Sequence, residues 1–168
     1  MNTLFSNMKI GKKIALALAI PVIGMTIFSG MLVMEKIQTV RNVEVLQSLS
    51  TLAVHMSNLV HEQQKERGAT AVFLGSKGRK FVSELAVQRQ ETNKKREVLK
   101  QYLETLDRSQ LNTTFNDKFD TVLTLLSKMD SIRASVDAQS ISAPDAIGYY
   151  TGLNGRNLDA IGLSLIHI

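Results

Sequence analysis

From Ile14 to Met34 the chain reads IALALAIPVIGMTIFSGMLVM, a run without a single charged residue. Wound as a helix at about 1.5 Å per residue it is about 31 Å long, the thickness of the hydrocarbon core of a bilayer. A membrane-spanning helix is the reading this length supports. The alternative, a cleaved leader, has an apolar region of only about 7 to 15 residues and small residues at the cut. Lys9, Lys12 and Lys13 precede the run, whereas Glu35 and Lys36 cancel one another after it. The positive-inside rule therefore leaves residues 1–13 in the cytoplasm and carries everything after Met34 across the membrane. Pro21 lies within the run, a position that lipid-embedded helices tolerate.

The same lysines explain most of the charge. Without these three, the formal net charge of +5 falls to +2, so the high isoelectric point is an orientation signal and nucleic acid is discounted as a partner. The absence of cysteine rules out disulfide and thiolate chemistry and is compatible with an oxidising exterior. Hydrophobic residues make up 44%, enough to exclude a disordered tail, while aromatics are only 5%. Leu, Ala, Lys, Glu, Gln and Met recur throughout, which favours helix over strand, and the expected fold is all-α.

Beyond the apolar run the spacing predicts four helical stretches. The first continues through Val45, Leu49, Leu52, Met56, Leu59, Val60, Arg67, Ala71 and Leu74 and ends at GSKG, where two glycines stop it. The second covers roughly Arg79 to Leu106, with Phe81, Leu85, Leu99, Tyr102, Leu103 and Leu106 on one side. The third starts near Thr114 and runs through SKMDSIRASVDAQ with Phe115, Phe119, Val122, Leu126, Met129 and Val136 at intervals of three and four. In SAPD, Ser142 is an N-cap, Pro144 fits the first turn and Asp145 completes a capping-box-like pair, launching a fourth helix through Ile147, Tyr150, Asn154, Leu158 and Ile161. Short loops make neighbouring helices antiparallel, which describes a helical bundle.

Arginine interrupts three of these stripes. Arg67 falls on the line of Val60 and Leu74, Arg89 is four residues after Leu85, and Arg133 lies between Met129 and Val136. A buried guanidinium must find a carboxylate, reach water along its aliphatic stem, or receive an anion from outside. Glu62, Glu66 and Glu84 are available acids. Two planar, fork-shaped guanidinium groups from different helices would equally suit a small planar oxyanion.

HEQQKERGATAVFLGSKG, then FVSELAVQRQETN, then SIRASVDAQSISAPDAIGYYTGLNGRNLDAI together resemble the nitrate- and nitrite-sensing (NIT) domain of bacterial receptors, over roughly His55 to Ile161. The ERG, QR and YYTGLN elements stand in that family's order. MKIGKKIALALAIPV is similar, more generically, to the first span of methyl-accepting chemotaxis receptors. The resemblance implies an all-helical extracytoplasmic sensor, residues 35–162, normally followed by a second span and HAMP and methyl-accepting modules. By motif position it makes Arg67 and Arg89 the leading anion ligands, with Arg133 and the segment from Tyr150 to Asn154 as neighbours. Asn93 stands where the family more often has aspartate. The expected partners are nitrate or nitrite, the membrane and a second copy of the chain, with no cofactor and no catalysis. LSLIHI, residues 163–168, matches the translation of a sequencing adapter and is expected to be read-through.

Other chemistries find less support. His55 and His61, six apart, do not share a helix face, and no cysteine or carboxylate cluster adds metal ligands. GSKG lacks the spacing of a phosphate loop, and QRQETNKKREVLKQ has the mixed signs of a solvated helix face. Two alternatives stay open: a helical receptor for another small anion or a periplasmic protein, and a membrane-tethered structural coiled coil without a ligand.

Overall fold

The computed structural model describes residues 9–166, and for residue 110 and residues 163–166 it describes the backbone alone. Of the segment 163–168, the helix reaches Ile166 and the last two residues lie outside the described residues. The elements in chain order are α1 (Ile10–Gly75), α2 (Val82–Thr105), a 3-10 turn (Arg108–Gln110), α3 (Thr113–Ser127), α4 (Met129–Asp137) and α5 (Ala143–Ile166). The all-α expectation holds for every described element.

The chain divides into two compact units, Met1–Glu44 and Val45–Ile168. In the first, the side chains of α1 are exposed almost throughout, and by length and composition its apolar stretch is sufficient to cross a membrane. Thr26 is not a liability there, because its hydroxyl donates to the Val22 carbonyl at 2.8 Å.

The second unit is a bundle whose helices all follow the same rule. On α1 the buried positions Leu49, Leu52, Met56, Leu59, Gln63, Glu66, Thr70 and Phe73 alternate intervals of three and four. Phe115, Phe119, Val122 and Leu126 on α3 continue as Met129, Arg133 and Val136 on α4, and α5 buries Ala146, Tyr150, Leu153, Asn157 and Ala160. Helix α2 contributes Leu85, Thr92 and Leu99. Such intervals are those of a coiled-coil-like bundle seam. Antiparallel order follows from the contacts. Tyr102 Oη donates to the Ser48 carbonyl at 2.7 Å and Gln88 Nε2 to Glu62 Oε2 at 2.7 Å, so moving back along α2 moves forward along α1.

Two apolar clusters result. Leu49, Leu52, Met56, Leu59, Leu99, Phe115, Phe119, Val122, Met129 and Leu153 form the larger; Ala69, Phe73, Leu85, Val136 and Ala146 form the smaller. Between them, on every leg of the bundle, the core positions are polar.

Three expectations are corrected. The third predicted helix is two, interrupted at Lys128. The hydroxyls of Ser127 and Ser131 bond the carbonyls of Thr124 and Lys128 at 2.8 and 2.7 Å on either side of the break, and the interval pattern passes through unchanged. Helix α2 starts at Val82, not Arg79: Phe81 is 42% exposed with φ of 60° and stays out of the core. On α5 the buried line runs through Ala146, Leu153 and Asn157, leaving Leu158 at 51% exposure. The cap at Ser142 is as expected, with the Asp145 N–H donating to its hydroxyl at 3.2 Å and that hydroxyl donating to the Asp145 carboxylate at 2.6 Å.

GSKG ends α1 by a doubly bonded cap. The Gly78 N–H reaches the Phe73 carbonyl at 2.9 Å and the Lys77 N–H the Leu74 carbonyl at 3.0 Å, which places Lys77 and Gly78 at φ of 56° and 71°. A methyl group on Gly78 would also run into the Gln139 side-chain amide from the loop before α5. Gly78→Ala is expected to cost about 1–2 kcal/mol, read as a lower denaturation midpoint at unchanged helical content by circular dichroism.

Candidate functional site

Glu66 is the centre of the polar layer, with none of its side chain exposed. Arg133 approaches it as a fork, Nε to Oε1 and Nη2 to Oε2, both at 2.7 Å. Tyr150 Oη donates to the same Oε1 at 2.7 Å. One carboxylate thus joins α1, α4 and α5, and Arg89 Nε on α2 stands 3.9 Å from it. Burial pushes the Glu66 carboxyl up, but the bonds and charge of Arg133 and the bond from Tyr150 more than offset this and hold it below the ordinary value of 4.5. Burial likewise works against the Arg133 charge and Glu66 overcomes it, so the guanidinium is raised further and stays charged. Burial and the Glu66 charge push the Tyr150 phenol well up, which keeps it the donor.

A ring of weaker contacts surrounds the node. Arg89 Nη1 donates to both Asp137 oxygens at 2.8 and 2.9 Å, and Arg96 Nη1 to both Asp130 oxygens at 3.0 and 3.1 Å. Both pairs join α2 to α4. Their acids are more than half exposed, so each contributes at most about 1 kcal/mol. Arg133 Nη1 also donates to Asn93 Oδ1 at 2.7 Å, so asparagine at this position still engages the arginine. Glu62 accepts from Gln88 Nε2 and from Lys65 Nζ at 3.0 Å, and the Gln88 bond, with Lys65, holds its carboxyl below the usual range.

The residues singled out from the sequence therefore separate. Arg133 and Tyr150 meet at Glu66, and Arg89 borders them. Arg67 does not join this group: it stands beside the seam, half-buried, and its Nη1 donates to Thr151 Oγ1 on α5 at 3.1 Å. Among the described residues no carboxylate pairs with it. Asn154 is 4% exposed, and among the described residues neither of its amide atoms has a hydrogen-bond partner. Of the acids expected to pair, Glu66 takes Arg133, while Glu62 and Glu84 take no arginine. The interval of three and four counted onward from Leu49 lands on Gln63, Glu66 and Thr70, which is the signal that would have found the buried carboxylate.

What this builds is an all-helical bundle domain whose apolar core is divided by a charged and hydrogen-bonded layer, with Arg67 bonded to a hydroxyl at the seam of α1 and α5 and, among the described residues, unmatched by an acid. The chain belongs to the nitrate and nitrite sensing family: the family model matches residues 58–165, which contain the whole polar layer. Its fold is similar to the solved structure of the NasR transcription antiterminator, with a TM-score of 0.67 at 24% identity, over 71% of this chain and 32% of that one. The chain thus spans about a third of the length of that protein. No curated protein matches it.

Removing either half of a buried ion pair strands the other. Glu66→Leu or Arg133→Met alone is expected to cost about 3–5 kcal/mol in urea denaturation, whereas the two combined should cost less than the sum of the single changes. Because the folded-state pKa of Glu66 is depressed, its stabilisation is fully present above about 4.5 and is lost as pH falls through the lower folded value. Melting temperature in the parent should fall below that pH, and Glu66→Gln should flatten this part of the profile.

Proposed function

We propose that the chain is the ligand-binding sensor region of a bacterial transmembrane receptor of the chemotaxis type, detecting nitrate or nitrite. In this reading residues 1–13 are cytoplasmic, residues 14–34 cross the inner membrane, and residues 35–162 form the extracytoplasmic sensor of a homodimer. Arg67 carries the proposal: it is half-buried within the family match, bonded to a neutral hydroxyl and free of an acid. A monovalent anion beside it would gain a charge-assisted, two-pronged contact without displacing any carboxylate.

The other arginines take a different role in this reading. Arg133 is matched by Glu66 and Arg89 by Asp137, so an anion competing for them would have to expel a negative charge already in place. They hold the bundle around Glu66, which neighbours Arg67 in the chain. An anion that draws α1 and α5 together through Arg67 and Thr151 favours one packing of that seam over another, by no more than its difference in affinity for the two. Helix α1 continues from the bundle into the apolar stretch without a break, a path along which such a displacement would pass.

Arg67→Ala should abolish nitrate binding measured by isothermal calorimetry on the chain in lipid nanodiscs, with helical content unchanged. Arg89→Ala should weaken binding by less than about ten-fold, since its charge is already matched. Undiminished affinity in Arg67→Ala would refute the assignment. A thermal-shift panel of nitrate, nitrite, other small anions and candidate periplasmic proteins separates this reading from a receptor for something else and from a structural coiled coil, because a ligand of the folded state raises the melting temperature.

A further inference from the structure

The seam of α1 and α5 contains a feature that the ion pairs leave unexplained. Gln63 is 0% and Asn154 4% exposed, and among the described residues both nitrogen and oxygen of each side-chain amide lack a hydrogen-bond partner. Native interiors leave few polar atoms unpaired. The two residues also stand at one level of the bundle. Ala160 belongs to the cluster of Leu49 and Leu52 and Ala146 to that of Ala69 and Phe73, so α5 descends as α1 rises, with Tyr150 and Thr151 level with Glu66 and Arg67. Going back one turn from Arg67 reaches Gln63, and going on one turn from Tyr150 and Thr151 reaches Asn154, at the same level of the seam.

Resting on the assignment of Arg67 above, we propose that the amides of Gln63 and Asn154 are the neutral half of the same anion site: specificity-determining residues that donate N–H bonds to the oxygens of a small planar oxyanion while Arg67 supplies the charge. The chemistry fits a monovalent guest. One guanidinium balances one negative charge, and the amides add directed donors without adding further charge. Donors from two helices converge on separate oxygens of a planar ion, whereas a spherical halide offers no such separated acceptors. Asn154 came into view through its motif; Gln63 is identified by burial and by its unpaired amide.

The test uses the full chain in nanodiscs, titrated with nitrate, nitrite and chloride. Gln63→Met combined with Asn154→Leu keeps the shapes and removes the amides, so the melting temperature should hold or rise. Nitrate affinity should fall at least about ten-fold, and the preference for nitrate over chloride should disappear. Gln63→Met and Asn154→Leu singly should each show a smaller loss in the same direction, which keeps the test decisive if the double variant folds poorly. Nitrate affinity within about two-fold of the parent in all three variants, with selectivity retained, overturns the inference. If Arg67→Ala loses nitrate while these variants keep it, the amide inference alone fails. If Arg67→Ala binds normally, or the parent chain takes up no nitrate, the Arg67 reading fails and the amide inference with it.

Discussion

The bundle depends on one buried carboxylate. Removing Glu66 and Arg133 from water is costly, and only a close two-pronged geometry with the remaining lone pairs engaged recovers that cost. Both conditions are met here, by the paired 2.7 Å bonds from Arg133 and by the Tyr150 hydroxyl. The pair is better understood as a device for alignment than as a source of stability. Heptad-spaced apolar seams can slide by a turn and repack with little loss, but sliding any of α1, α4 or α5 would strand a charge in the interior. The layer therefore selects one register, and the apolar clusters on either side of it contribute the burial.

The fold was legible in the sequence to the extent that apolar residues recur at helical intervals. The end of α1 at GSKG, the cap at Ser142 and the inward residues of α3 and α4 could be read directly, because glycine, serine and phenylalanine have strong local meanings. The break at Lys128 could not, since the hydrophobic pattern passes through it intact. Arg67 was legible as an anomaly but not as to its place. Tracing Val60, Arg67 and Leu74 as the inward line follows the hydrophobic letters, whereas the buried line passes through Gln63, Glu66 and Thr70. A rule that expects apolar residues inside steps off the seam where the seam turns polar.

Neighbouring positions on α1 consequently do opposite work. Glu66 points into the core and neutralises an arginine from another helix; Arg67, one residue on, stands at the edge with its charge unmatched by an acid. The same division appears on α5, where Tyr150 serves the buried carboxylate and Thr151 the half-buried guanidinium. In the proposed reading, structural and ligand-facing chemistry are thus interleaved residue by residue. A motif such as KERG or YYTGLN contains both kinds.

Pro21 lies inside α1 and has no N–H to offer the carbonyl one turn earlier. That turn therefore has one backbone hydrogen bond fewer than its neighbours, the usual place for a helix to kink. In the proposed receptor, this turn is where a bend in the apolar stretch would be taken up.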